Sequence, residues 1–228
     1  MNKPKQLTFP WNKVNKSSLE GFYTSQENSH LVSLLKDRSF LDDLFIYGTK
    51  ESGKTFLLQA MCNSYSSVSK SSLYIPLKKV MNFGIEIFES LENIDLICID
   101  GIEEVISKIE WEKAIFNLIN KALISETRLI LTSSKDLKSL NFLLPDLESR
   151  IRKIQSYELY PINDEDIFDA LKYISKLTSI NLGDKEARYL VTYSQRNISN
   201  LVHILESLDQ LSMEMKRKIT IPLIKEVI

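Results

Sequence analysis

The stretch Leu44-Phe45-Ile46-Tyr47-Gly48-Thr49-Lys50-Glu51-Ser52-Gly53-Lys54-Thr55 decides the fold. Four apolar residues that stop at a glycine read as a short buried strand. The next eight, Gly48 to Thr55, fit G-x-x-x-x-G-K-[ST] at every fixed position, and Phe56, Leu57, Ala60 and Met61 then continue at helical spacing. Strand, glycine loop and helix in this order form a cradle in which backbone N–H groups turn inward at a helix N-terminus, where an anion is favoured. Gly48, Thr49, Lys50, Glu51, Ser52, Gly53, Lys54 and Thr55 are therefore expected to bind a nucleotide, ADP or ATP. Lys54 is expected to reach the β- and γ-phosphates, and the Thr55 hydroxyl to ligate Mg²⁺.

Working outward, apolar runs at 73–77, 94–100, 128–132 and 157–159 read as four further strands. Ile94-Asp95-Leu96-Ile97-Cys98-Ile99-Asp100 is continuously apolar at its centre, as a strand covered on both faces requires. Helical spacing appears at 28–41, through Leu31, Leu34 and Leu35, and at 111–124, through Trp111, Ile115, Leu118 and Ala122. The piece 145–151 reads as a short helix, and the Ser-rich piece 64–72 as a solvated connector. Alternating strands and helices predict an α/β fold, a parallel sheet flanked by helices, with ligands outside the carboxyl ends of the strands. Beyond Pro161 the strand signal stops. Four helices are expected there, capped by Asp164, Asp184, Asn197 and Thr220, the last with Pro222 in its first turn. The expected organisation is an arm at 1–20, an α/β nucleotide-binding domain at 21–161 and a small all-helical lid at 162–228.

The composition, 43% hydrophobic and 26% charged, is that of a globular protein. With 29 Lys+Arg against 30 Asp+Glu, a net charge of −1 disfavours non-specific nucleic-acid binding as the main activity. Cys62 and Cys98 lack metal-ligand spacing and read as buried reduced thiols. His30 and His203 have no ligand partners nearby in sequence and read as structural or solvated. No apolar stretch is long enough to span a membrane, so a cytoplasmic protein without membrane contact is expected.

Asp100 closes its strand about 45 residues after Thr55. There a P-loop protein places the carboxylate that holds Mg²⁺ through water. Many P-loop ATPases carry a second acid directly afterwards, to orient the attacking water, but here that position is Gly101. Glu103 stands two residues further on. Weak or absent hydrolysis by the chain's own site is therefore expected.

The ordered segments GTKESGKT, LICIDGIE, LILTSS and LESRI, followed by a helical lid, resemble the AAA+ module of the DnaA family of bacterial replication initiators. The similarity covers essentially the whole chain and takes in WEKAIFNLINKAL, LPDLESR and KRKITIPLIKEVI. It is strongest to the family's regulatory members, which inactivate the initiator. The resemblance implies that Arg150 is an arginine finger acting on nucleotide held by a neighbouring subunit, and that Phe22 and Tyr23 flank the adenine. Two positions depart from the family pattern. Ser134 stands where the initiator has an acidic sensor, and Ser199 where the lid arginine contacts phosphate, with Arg196 three residues away. Both losses favour stable ADP holding over ATP cycling.

Gln6-Leu7-Thr8-Phe9-Pro10 is similar to the short peptide by which bacterial replication proteins of this kind bind the polymerase III sliding clamp. Gln6, Leu7 and Phe9 are its expected contacts. The initiator's helix-turn-helix domain follows the lid, and no such segment follows here, so DNA is expected to be reached only through the clamp. The implied function is negative regulation of replication initiation, by stimulating hydrolysis of DnaA-bound ATP. The alternative is a self-sufficient AAA+ ATPase of the initiator or helicase-loader type, with homo-oligomers that complete each other's sites.

Overall fold

In a computed structural model that describes residues 17–228 except Ser90 and Glu92, five parallel strands form one sheet. They are β1 (Leu44–Tyr47), β2 (Ser72–Pro76), β3 (Leu96–Asp100), β4 (Arg128–Ser133) and β5 (Gln155–Glu158). Their spatial order is β2-β3-β4-β1-β5. β1, in mid-sheet, pairs Leu44 with Ile130 on one side and with Gln155 on the other. Because every strand runs the same way, all five carboxyl ends lie on one edge.

The two-residue period of the strands sorts side chains between two cores. Leu44, Ile46, Leu96, Cys98 and Ile130 face one cluster, completed by α1 (Ser29–Lys36) and α2 (Lys54–Ser66) through Leu31, Leu35, Leu57, Leu58 and Met61. Phe45, Ile97, Ile99, Leu129 and Leu131 face the other, built with α3 (Leu77–Val80), α4 (Ile109–Ser125) and α5 (Pro145–Ile151). A third core lies among α6 (Ile167–Leu177), α7 (Asp184–Tyr193), α8 (Ile198–Met215) and α9 (Ile221–Val227), where Leu171, Leu190, Leu201 and Leu205 are buried together.

Several boundaries differ from the sequence reading for local reasons. α1 stops at Lys36 rather than near 41 because the Asp37 carboxylate accepts the Ser39 amide at 2.8 Å, a local turn that competes with the helix. The Ser-rich connector is shorter than expected, since α2 continues through Ser66 and β2 already begins at Ser72. In the lid, Asn197 caps α8 by accepting the amides of Ser199 and Asn200. Thr220 precedes α9 with Pro222 in its first turn but makes no side-chain cap. Asp164 does not cap α6. The cap position is Asp166, whose own amide is held by the Asn163 side chain at 2.7 Å. Asp184 lies inside α7, after Gly183, and pairs with Lys172 at 2.8 Å. Cys98 is buried, whereas Cys62 is only partly so. The clamp-peptide residues Gln6, Leu7 and Phe9 lie outside the described residues. No described helix is long and apolar enough to cross a membrane.

Buried Asn28 ties the N-terminal side of α1 to the end of β5. Its amide donates to the Tyr160 carbonyl at 2.9 Å and its carbonyl accepts the Tyr160 amide at 3.0 Å. Asn28→Ala removes both links, and a loss of about 2 kcal/mol is expected, an unfolding midpoint lowered by roughly 4–8 °C. Thermal denaturation followed by circular dichroism checks this.

Candidate functional site

The glycine loop joins β1 to α2 at the carboxyl edge of the sheet. The Gly48 amide donates to the Ser133 carbonyl at 3.2 Å, and the Leu159 amide donates to the Tyr47 carbonyl at 2.7 Å. The loop is thus anchored on β4 and on the residue after β5. A Cβ on Gly48 would lie 2.3 Å from the Leu159 carbonyl oxygen, so no larger residue fits without moving backbone. Gly53 has φ +98°, and a Cβ there would meet the Phe22 ring at 2.7 Å. Glu51 also has positive φ, 74°. Left-handed turns at Glu51 and Gly53 curl the chain into a cup just before α2 begins at Lys54.

Lys54 reaches back across this cup. Its ammonium donates to the carbonyls of Gly48 at 2.6 Å and Thr49 at 2.7 Å and to the Ser52 hydroxyl at 3.3 Å. Partial burial lowers its pKa, opposed by the negative charges of Glu103 and then Asp100.

Asp100 lies on the same sheet face as Cys98, the α2 side, and three side chains converge on it. Thr55 donates to its Oδ2 at 2.6 Å, Tyr74 donates to the same oxygen at 2.8 Å, and Thr132 donates to Oδ1 at 2.8 Å. Burial, and then the charge of Asp100, push the Tyr74 phenol well above its ordinary pKa. Thr132 also accepts the Gly101 amide at 3.2 Å, which ties the turn after β3 to β4. Thr55 and Asp100, assigned from sequence 45 positions apart, are thus in direct contact. Tyr74 and Thr132 were not assigned from sequence. The signal for Thr132 was a hydroxyl directly after the apolar run Leu129-Ile130-Leu131 of a buried strand, which must find a partner. For Tyr74 only the register, which sets it beside Cys98, shows that it faces the α2 side.

Glu103 turns back to the end of β4. Gly101, at φ +83°, turns the chain into a short 3-10 helix, Ile102–Val105, and the Glu103 carboxylate accepts the Ser134 amide at 2.9 Å. Its other oxygen is buried without a partner among the described residues. Ser134, at the expected sensor position, is exposed at the end of β4, next to the residue that anchors Gly48. Phe22 and Tyr23 diverge. The Phe22 ring packs over Gly53 and lies 6.1 Å from Phe56, whereas Tyr23 stacks edge-on with Tyr173 of the lid at 5.9 Å. The Tyr173 hydroxyl donates to the Glu20 carbonyl at 2.6 Å, a second bond between lid and N-terminal segment.

Ser199 is exposed in the first turn of α8. Arg196 forms an exposed ion pair with Asp164, 3.5 Å apart. Arg150 lies in the last turn of α5, half-buried, with no hydrogen bond or ion pair to its guanidinium among the described residues. Arg152, two positions on, is paired with Glu148. The structure therefore brings the loop, Asp100, Glu103 and Ser134 to one edge and leaves Arg150 outside that group's hydrogen-bond network.

Gly48→Ala drives the Leu159 backbone away from the loop. Nucleotide affinity, measured with a fluorescent ADP analogue, is expected to fall by on the order of tenfold or more, at least about 1.4 kcal/mol.

Comparison with known proteins agrees with this geometry. A family model of the AAA domain matches residues 43–168, more than half of the chain, and a model of the Hda lid domain matches residues 164–228. An uncharacterized protein of Haemophilus influenzae is 35% identical over 227 residues, which covers 98% of both chains. Domain III of the Thermotoga maritima replication initiation protein DnaA superposes with a TM-score of 0.74 at 20% identity, over 95% of this chain and 99% of that one. AMPPCP-bound DnaA from Aquifex aeolicus superposes with a TM-score of 0.69 at 20% identity, over 89% of this chain and 68% of that one. A P-loop held on β4, an Asp100 centre and a matched lid together show that this chain is an AAA+ protein of the DnaA-homologous, Hda-like family.

Proposed function

We propose that this chain is a negative regulator of replication initiation that stimulates hydrolysis of ATP bound to DnaA. It would hold ADP or ATP in the cup formed by Gly48 to Thr55, and Thr55 and Asp100 are the residues that would hold Mg²⁺. The fit is that of a P-loop metal site, in which one hydroxyl and one carboxylate suffice because phosphates and water complete the shell. Docked in the cytoplasm on the polymerase III sliding clamp through Gln6, Leu7 and Phe9, it meets DNA only through the clamp.

The observation that carries this reading is the state of Arg150. A guanidinium without a partner among the described residues, two positions before an arginine that is paired, is available to an anion on another molecule. A planar guanidinium suits the charge that develops on a transferring phosphoryl group, and such a finger contributes on the order of 10³-fold or more to the rate. The lid match and the DnaA-like fold support DnaA as the partner in whose site that charge would arise.

Arg150→Ala is expected to abolish stimulation of ATP hydrolysis by DnaA in the presence of clamp and DNA while leaving nucleotide binding by the chain intact. Stimulation equal to wild type overturns the finger assignment. Removal of residues 1–10 is expected to abolish clamp binding in a pull-down with purified clamp.

One observation favours the second reading, a self-sufficient ATPase that assembles with copies of itself. The Glu103 carboxylate, held on the Ser134 amide and acting on Lys54, partly restores the acid missing at Gly101. This reading requires steady ATP turnover by the isolated protein that falls at least tenfold in Glu103→Gln, measured by phosphate release. Turnover indistinguishable from buffer rejects it.

A further inference from the structure

Glu112 is fully buried, the only acidic residue so placed among the described residues, and no cation is bonded to it. Its carboxylate accepts two backbone amides from different parts of the chain. The Ser107 N–H donates to Oε1 at 3.0 Å and the Leu144 N–H donates to Oε2 at 2.8 Å. Ser107 closes the segment that leaves Asp100 and Gly101, and Leu144 is the cap residue of α5, the helix that carries Arg150. We propose that Glu112 is the positioning residue of Arg150, fixing the start of α5 against α4 so that the guanidinium is presented in one orientation. The proposal rests on the finger reading given above.

The argument is one of leverage on a short helix. α5 has 7 residues, fewer than two turns, and a helix of that length is not stable alone. Its orientation comes from what holds it. Leu147 and Ile151 are buried in the core between sheet and α4, which fixes its depth. Pro145 in the first turn sets the backbone angle on entering the helix. These contacts are apolar and non-directional, and they leave rotation about the helix axis weakly defined. The bond from Leu144 to Glu112 is directional, part-buried and at the helix start. The Leu144 carbonyl then accepts the amides of Leu147 at 3.1 Å and Glu148 at 3.2 Å, so the orientation of that peptide passes directly into the turn preceding Arg150.

The other carboxylate oxygen makes the link specific. By holding Ser107, Glu112 connects the finger helix to the segment 101–107, whose near end is bonded to Thr132 through the Gly101 amide and to Ser134 through Glu103. A leucine at 112 would fill the core but leave the Ser107 and Leu144 N–H groups without this acceptor. A glutamine has one oxygen for two donors. Placement matters for a finger more than for a packing residue, because a misplacement of about 1 Å costs on the order of 10²-fold in rate.

The test titrates the full chain into DnaA with ATP, loaded clamp and DNA, and reads maximal hydrolysis and half-saturating concentration separately. Glu112→Gln is expected to lower the maximum at least tenfold with the half-saturating concentration changed less than twofold. In an Arg150→Ala background it is expected to add no further loss. Loss of folded protein would instead raise the apparent half-saturating concentration and leave the maximum unchanged, and that result overturns the proposal. Full stimulation by Glu112→Gln overturns it equally. Hydrogen exchange supplies an arm independent of the finger reading: residues 144–151 are expected to exchange at least tenfold faster in Glu112→Gln, with residues 54–66 unchanged. Should Arg150→Ala stimulate like wild type, the finger reading falls. Unchanged exchange over 144–151 rejects Glu112 as the anchor of α5 in either case.

Discussion

The close approach of Gly48 to Leu159 is the constraint on which the site depends. β1 lies between β4 and β5, and its last residues exchange backbone bonds with both neighbours just where the chain must turn into the phosphate cup. Only a residue without a side chain passes there, because a Cβ would reach the Leu159 carbonyl at 2.3 Å. With the loop fixed in this way, α2 starts at a defined height above the sheet, and Thr55 in its first turn meets Asp100 at the end of β3.

Three acidic residues in one stretch of chain then take three different roles because their surroundings differ. Asp100 is held by hydroxyls from α2, β2 and β4, an all-acceptor arrangement in which the carboxylate stays available on the strand edge. Glu103 is carried back over that edge by the left-handed turn at Gly101 and holds the sensor-position amide. Glu112 is withdrawn from solvent altogether and holds backbone. A buried carboxylate is tolerated when its oxygens are matched by donors, and the two amides supply that match. The stretch from 100 to 112 thereby links the nucleotide edge of the sheet with the helix that bears Arg150.

The N-terminal segment and the lid meet on the other side of the cup. Phe22 closes over Gly53 while its neighbour Tyr23 turns to Tyr173, so two adjacent aromatic residues clamp different bodies. Burial, with the charges of Asp166 and then Asp169 nearby, raises the Tyr23 pKa. This arrangement places the lid beside the nucleotide cup by hydrogen bonding and ring packing rather than through Ser199 or Arg196, of which the latter is occupied by Asp164.

Much of this was legible in the chain itself. The phosphate loop, the parallel α/β architecture, the helical lid and the place of Asp100 follow from local patterns, since apolar runs, glycine spacing and helical period are properties of short segments. The Asn197 cap was likewise readable, because its partners are two and three residues away. What could not be read were contacts between residues far apart in sequence. The sequence showed Glu103 two places beyond the expected acid without showing that a glycine turn brings it back to Ser134. It showed Glu112 as one acid on an amphipathic helix, yet the fold buries it against an amide 32 residues away. Sequence thus determined which groups are present and on which elements they sit. The tertiary structure decided which of them meet, because burial and hydrogen bonding across the sheet depend on packing that no local pattern encodes.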